Sequence, residues 1–350
     1  MKAVVLERAK RMKVADAPDR RLQSGEVRIA VKCCGICGTD QHIYHGNPGS
    51  AQVRPPIVLG HELAGVVTEI GQDVKRLKVG DRVSVDPNLY CGQCSHCRNG
   101  RTHLCDFMEA IGVTRDGGMA QFCAVPATNC YPIPDGMTFE EAALTEPLGC
   151  ALHGFKTLRV SPLSTVLIIG GGFIGQLFVQ LAKRERVSKI VVSEPVESKH
   201  EGLRALGADQ TVHPSALADS IGAGYDIVIE CAGRKESMEL ACSAAGKGGQ
   251  VLLFGVSSPD LSIAVKPFEI FAKELVIRGS FINPWTHEEA ISLIERGIVR
   301  VQSLISHRFE PDEVPEAMEV YPALQVSKGV IVFPEFESDL DQIAKEEQAT

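Results

Sequence analysis

Aromatic side chains are scarce in this sequence, with one Trp and five Tyr among 350 residues. Positive charge is not in excess either: 36 Lys and Arg stand against 44 Asp and Glu, a net charge of −8. Phosphate binding needs a basic face, so no nucleic-acid partner is expected. The opening MKAVVLERAK carries charges at residues 2, 7 and 8. It therefore lacks the apolar core of an export signal, and an edge strand is expected to begin there. Internal repeats and low-complexity segments are not evident. Residues 160–182 contain no charge and are long enough to span a bilayer. Pro162, several Ser and Thr, and Gly170-Gly171-Gly172 interrupt them, so a buried strand followed by a buried helix fits better than a membrane segment. Twelve cysteines without an export signal argue against a disulfide frame. They point to metal binding or buried thiols in a reducing, cytoplasmic compartment.

What the chain does have is length and an ordinary globular composition, 44% hydrophobic and 23% charged. That is more chain than one core usually serves, so two domains are expected. Up to about residue 150 the pattern is of short strands between breakers: EVRIAVKCCG, LAGVVTEIG and DRVSVDP. From about residue 157 apolar strands alternate with helical stretches. TVLIIG precedes the helix GFIGQLFVQLAKRER, and KIVVSE precedes SKHEGLRALGA, closed by Gly207. DIVIECAG, GQVLLFG and ELVIRGSF supply further strands. Such alternation predicts a parallel sheet covered on both faces, an α/β fold beside a mostly β domain. THEEAISLIERG suggests a helix with Thr286 as N-cap and Glu289 completing a capping box. SHRFEPDEVPEAMEVY and GVIVF read as a loop, helix and strand that return to the first domain. The last sixteen residues, 335–350, carry six carboxylates against one Lys and are expected to be a solvated tail.

Strand 165–169 runs into Gly170-Gly171-Gly172-Phe173-Ile174-Gly175, a GxGxxG that opens a helix. A second strand then ends in Glu194, twenty-four residues past the first Gly. Glycines there allow a tight turn and close approach of a pyrophosphate to the helix N-terminus. Glu194 would accept both ribose hydroxyls of adenosine and repel a 2′-phosphate, which predicts NAD over NADP. Lys199 either reaches the same ribose or is a solvated helix-face Lys. The plainer reading of the glycines is tight helix–sheet packing, which the placement of Glu194 makes the weaker one.

Two sets of candidate metal ligands stand out. Cys91, Cys94, Cys97 and Cys105 lie in YCGQCSHCRNGRTHLCD, with spacing suited to a closed tetrahedral zinc that leaves no position for substrate. A nucleic-acid knuckle is disfavoured by the net charge and by the lack of interleaved basic and aromatic residues. A redox pair is disfavoured by the fourfold arrangement. The second set is dispersed: Cys37, Asp40 and His42 in GICGTDQH, His61 and Glu62 in GHELAG, and Glu146, Cys150 and His153 in TEPLGCALHG. Three or four mixed ligands plus water describe a catalytic zinc. Spacing alone leaves open a core histidine at position 61 and a helix-terminal carboxylate at 146.

Taken in order, GICGTDQH, GHELAG, the four-cysteine loop, TEPLGCALHG and GGGFIG resemble the zinc-dependent medium-chain dehydrogenases over residues 1–333. EPLGCALHG looks like the sorbitol (L-iditol), polyol and threonine dehydrogenase branch. The resemblance implies a Rossmann domain at 152–286 and a GroES-like catalytic domain at 1–151 and 287–350. It implies a catalytic zinc on Cys37, His61 and either Glu62 or Glu146, and a structural zinc on the four cysteines. In the same way it implies that Thr39 touches the substrate oxygen, that His42 ends a proton relay, and that Asp40 orients His61. Cys150, Ile174, Phe173, Gly255, Val256, Phe281 and Ile282 would lie along the dinucleotide. Animal sorbitol dehydrogenases carry an Arg-Tyr pair where this chain has Ile282-Asn283, and they lack the four-cysteine loop. The implied activity is oxidation of a secondary alcohol of a polyol by NAD, with L-threonine or a vicinal diol such as butanediol as the alternative. A zinc-stabilised nucleotide-binding protein without turnover is the remote one. A homotetramer is expected, with a dimer as alternative.

Overall fold

The computed structural model describes residues 1–49, 51–217 and 221–333, so the acidic stretch 335–350 lies outside the described residues. Strand Lys2–Arg8 forms at once, but it is not an edge. It lies between Arg11–Asp16 and Ile57–Val58 in a three-stranded sheet. Val4 and Leu6 are buried on it, and pairing on both sides satisfies the backbone of a strand that sits in the core. The larger sheet is built on Glu26–Ile36, whose buried face carries Val27, Ile29 and Val31. This strand pairs antiparallel with Glu62–Ile70, Phe122–Pro126 and Gly329–Val332. The late segment thus closes onto the first sheet. His307–Phe309, expected as loop, is a strand paired parallel to Gly329–Val332.

A second, six-stranded sheet takes the spatial order Gln210–Val212, Lys189–Ser193, Thr165–Ile169, Tyr225–Glu230, Ala245–Leu253, Val276–Gly279. Every neighbouring pair is parallel. Numbered along the chain this is 3-2-1-4-5-6, the doubly wound order of dinucleotide-binding sheets. Val166, Leu167 and Ile168 are fully buried in succession, as a strand covered on both faces requires. Helix His200–Leu206 ends at Gly207, whose φ of +128° suits glycine. No helix among the described residues is long and apolar enough to cross a membrane.

The two halves share a helix, Thr145–Lys156, whose Leu148 and Leu152 pack in one core with Val166, Phe178 and Ile291. The division expected at 151/152 falls within it. Helix His287–Glu295 packs alongside, and its capping box does not form. The Thr286 hydroxyl is drawn away to the carbonyls of Gly149 (2.8 Å) and Asn283 (3.1 Å). Glu289 instead pairs with Lys156 and Arg184. Tertiary partners outcompeted the local cap.

Candidate active site

Cys37 follows the strand Glu26–Ile36, and His61 precedes Glu62–Ile70. Because Gly35 pairs with Glu62 in the antiparallel register, the two strand ends arrive side by side. One ligand atom from each of Cys37, His61 and Glu62 falls within 4.8 Å of the others. Asp40, fully buried, stands behind the imidazole, with Oδ1 3.5 Å from His61 Nδ1 and Oδ2 accepting the Cys37 N–H at 2.8 Å. That leaves Nε2 as the free ring nitrogen, the arrangement in which a carboxylate orients a metal-binding histidine. Burial opposes charge on His61, but Asp40 and Cys37 outweigh it and hold its pKa well above the usual imidazole range. Asp40 Oδ1, His61 Nδ1 and Glu62 Oε1 are buried without a well-formed hydrogen bond. Such orphaned groups are costly unless a cation completes them, so the residues fit a zinc ion.

Glu62 has a second neighbour that the sequence reading did not find. Lys328, 4% exposed, forms an ion pair with it, donates to the Ile36 carbonyl at 3.1 Å and stands 4.9 Å from the Phe173 ring centroid. Burial opposes the ammonium, and Glu62 holds it charged. Lys328 therefore joins the metal set to the first residue of the dinucleotide helix. No local signal could have shown this, since 266 positions separate the pair. Glu146 lies outside the group of three but beside it. Burial pushes its carboxyl up to about 7, against the pull of His61, and Cys150 Sγ donates to its Oε1 at 3.2 Å.

Thr39 and His42 are three positions apart on helix Gly38–Tyr44, both partly exposed, and so share a face. At the dinucleotide turn, Gly170 has φ +103°, and a Cβ on Gly175 would sit 1.9 Å from the Gly170 carbonyl oxygen. Side chains are thereby excluded and the helix Phe173–Arg184 starts hard against the strand. The buried Glu194 carboxylate accepts from the N–H groups of Gly171 (2.8 Å) and Val196 (2.9 Å). Each oxygen keeps a lone pair. Lys199 is half-buried, and it is His200 that reaches the Glu194 strand end, with Nε2 2.7 Å from the Glu194 carbonyl oxygen. Gly255, Val256, Phe281 and Ile282 follow the ends of the last two strands. Val256 is 65% and Phe281 38% exposed. These residues fit a dinucleotide, because backbone and a carboxylate line a turn that side chains cannot occupy.

In the cysteine lobe, Cys91, Cys94, Cys97 and Cys105 bring their sulfurs within 4.8 Å of one another, and Cys91 and Cys97 are 4.0 Å apart. Tetrahedral bonds of about 2.3 Å imply sulfurs about 3.8 Å apart. Backbone N–H groups of Cys91, Gln93, Cys94, Cys97 and Phe107 point at the sulfurs. The Cys97 N–H is the main reason the Cys94 thiol is drawn down to about 6, whereas burial and its neighbours push Cys97 up to about 12. Four thiols this close ionise together only around a cation, so this set also fits zinc. His103 of the lobe meets His153 of helix Thr145–Lys156 edge-on, with ring centroids 5.1 Å apart.

A family model described as the alcohol dehydrogenase GroES-like domain matches residues 23–135, and one for zinc-binding dehydrogenases matches residues 174–296. The chain is 35% identical to an L-threonine 3-dehydrogenase of Thermococcus kodakarensis, over 89% of this chain and 91% of that protein. It is 31% identical to a sorbitol dehydrogenase of Bacillus subtilis, over 95% and 97%. A Sinorhizobium meliloti crystal structure, bound to NADP and described only provisionally as a zinc-binding dehydrogenase, superposes with a TM-score of 0.90 at 36% identity, covering 95% of this chain and 99% of the other. An oxidoreductase using zinc and a nicotinamide dinucleotide is thereby identified, and the chain belongs to the zinc-dependent medium-chain dehydrogenase family, in its polyol dehydrogenase-like group.

Proposed function

We propose that this protein oxidises a secondary alcohol of a polyol to a ketose with NAD as acceptor. The observation that carries the reading is the convergence of Cys37, His61 and Glu62 within 4.8 Å, joined through Lys328 to the start of the dinucleotide helix. Cys37, His61 and Glu62 would hold the catalytic zinc, with Glu146 as the alternative carboxylate, and Cys91, Cys94, Cys97 and Cys105 the structural one. When bound, zinc supplies Lewis acidity and the nicotinamide accepts hydride. Thr39 Oγ1 takes up the proton leaving the substrate hydroxyl and passes it to His42, an imidazole able both to accept and to release it. Asp40 keeps Nε2 of His61 free, and Glu194 receives the adenosine ribose hydroxyls. Phe173, Ile174, Gly255, Val256, Phe281 and Ile282 line the dinucleotide between a catalytic domain, 1–151 with 287–350, and a nucleotide domain, 152–286. Lys199 remains a neighbour of the ribose.

Charge supports this substrate class. Among the described residues around the metal set, the buried cation Lys328 is spent on Glu62, while Glu146 and Asp86 are acidic. A neutral polyhydroxyl chain finds hydrogen-bond acceptors there, and Lys328, which could have met the carboxylate of an amino acid, already has one in Glu62. L-Threonine is the second reading, favoured by the 35% identity to a threonine enzyme. NADH absorbance at mildly alkaline pH with a panel of polyols, butanediol and threonine decides between them. Threonine oxidised faster than every polyol would reverse the order, and no turnover at all would leave a nucleotide-binding protein.

A further inference from the structure

Where the sequence has Ile282-Asn283, the chain takes a strained path. Ile282 has φ +49° and Trp285 φ +58°. The left-handed region is uncommon for any L side chain and an outlier for a β-branched one. Such a segment persists only where its surroundings hold it. Between the two, Asn283 is fully buried, while Trp285 is 72% exposed.

Asn283 is held at three points. Its Oδ1 accepts from Asn88 Nδ2 at 2.7 Å, and Asn88 is itself fixed by Asp86 Oδ1, which accepts its N–H and its amide at 3.1 Å each. Its carbonyl accepts from the Thr286 hydroxyl, which also donates to the Gly149 carbonyl. Its Cβ lies against Gly149, where an added Cβ would come within 3.2 Å. Gly149 sits on helix Thr145–Lys156 between Glu146 and Cys150, and Cys150 Sγ is 4.0 Å from Asn283 Oδ1. Asn88 opens the strand Asn88–Leu89 that leads into Cys91. One amide therefore touches three segments: the strained link, the helix bearing Glu146, and the entry to the cysteine lobe.

We propose that Asn283 is a positioning residue that bolts the strained segment 281–285 to Asn88 and to the Glu146–Cys150 face of the helix, fixing the wall of the reaction cleft. It acts through Glu146, Cys150 and Phe281 and does not touch substrate, since none of its surface is open. The inference rests on the dehydrogenase reading of that cleft, and its test includes a signal that needs no turnover. Trp285 is the single tryptophan of the chain and reports on the segment directly.

The test uses the full-length zinc-loaded protein with Asn283→Leu, which keeps the bulk but deletes the acceptor, and with Asn88→Ala, which deletes the donor. Both variants are expected to lower Trp285 anisotropy and to raise its acrylamide quenching. For every alcohol the parent oxidises, kcat per zinc-loaded subunit is expected to fall by a common factor of about ten or more, with the alcohol KM within about twofold. The double variant should lose no more than the worse single, as two ends of one bolt require. Unchanged Trp285 signals, or multiplicative losses, would overturn the proposal. So would a raised KM at constant kcat, which would make Asn283 a substrate contact. If Asn283→Leu does not fold, Asn88→Ala carries the same test from the other end. If the parent oxidises no alcohol, the dehydrogenase reading fails separately, and Trp285 still decides whether the bolt exists.

Discussion

Gly35 faces Glu62 across the antiparallel register, and the carboxylate occupies the space a side chain would take. A Cβ on Gly35 would fall 1.9 Å from Glu62 Oε2, within a bond length or so, and Glu62 is fully buried with Lys328 paired to that same oxygen. Gly35→Ala must therefore push the carboxylate out of the metal set. Overpacking of this kind costs about 1–3 kcal/mol, and displacement of a group at a metal centre typically costs roughly 10–100-fold in activity or affinity. The expected result is loss of one zinc with the four-cysteine zinc kept, read by metal analysis and kcat/KM. Retention of both ions at parental activity would refute the placement of Glu62. A different single residue governs pH dependence. The Ser84 hydroxyl donates to the Ala142 carbonyl at 2.7 Å, so His287 Nε2–H must be the donor to Ser84 Oγ at 2.9 Å, and Nδ1 is left bare and buried. Burial drops the pKa of His287 to about 3. Unfolded, the imidazole binds its proton near pH 6.5, so stability from this residue is complete above that pH. It is lost as pH falls from 6.5 toward 3, by up to about 1.4 kcal/mol per pH unit. His287→Gln should flatten the difference in urea midpoint between pH 7 and pH 5 relative to the parent. Equal slopes in both proteins would contradict the burial argument.

The cysteine lobe shows what an element does when it lacks a core. Between Cys91 and Cys105 the described side chains are mostly exposed: Leu104 is 42% exposed, and Phe107 just beyond is 72% exposed. With so little apolar material to bury, the loop depends on its metal for structure. Cys97→Ser should therefore reduce zinc from two ions per chain, one for each ligand group, to one. An apparent Tm lower by on the order of 10 °C is expected, since each kcal/mol moves a domain of 150–250 residues by roughly 2–4 °C. Unaltered Tm with the zinc gone would show that the lobe holds itself. The lobe was legible in the sequence because its four ligands are local. The strand–turn–helix at 165–184 was legible for the same reason: glycine spacing and apolar runs are short-range signals. Thr286 was misjudged because its hydroxyl found the Gly149 carbonyl, 137 positions away, a competitor that no local pattern encodes. Lys328 was invisible as a site residue on the same ground, and Asn283 stood out only as a departure from an Arg-Tyr pair, with nothing local to show its bond to Asn88. Even strand Lys2–Arg8 was legible as a strand and not as a central one, because its second partner is the distant Ile57–Val58.

At the scale of the whole molecule the six-stranded sheet is unfinished. Its last strand, Val276–Gly279, is paired on one side with Ala245–Leu253, and among the described residues no strand covers the other. Its sequence VIRG has none of the Pro or Lys that blunt a solvent-facing edge. Val276 on that strand is 41% exposed, and Phe268 and Phe271 of the preceding helix Pro267–Lys273 are 74% and 77% exposed. An unprotected strand beside two bare aromatic rings is a surface made for association. The partner that costs no new design is a second copy, because a two-fold axis sets the same strand antiparallel to itself and continues the sheet across the interface. We expect a dimer built on this edge, paired further into a tetramer. Val276→Pro disrupts the edge strand, and Phe268→Glu with Phe271→Glu places charge in the apolar patch. Each should halve the sedimentation mass, from two chains to one in a dimer or from four to two in a tetramer, and make the protein less heat-stable, while both zinc ions stay bound, since the metal ligands lie in the other half of the chain. A parent protein sedimenting as one chain, or variants that keep the parental mass, would place the interface elsewhere or remove it. The dinucleotide turn at the far strand ends would then work within an isolated subunit.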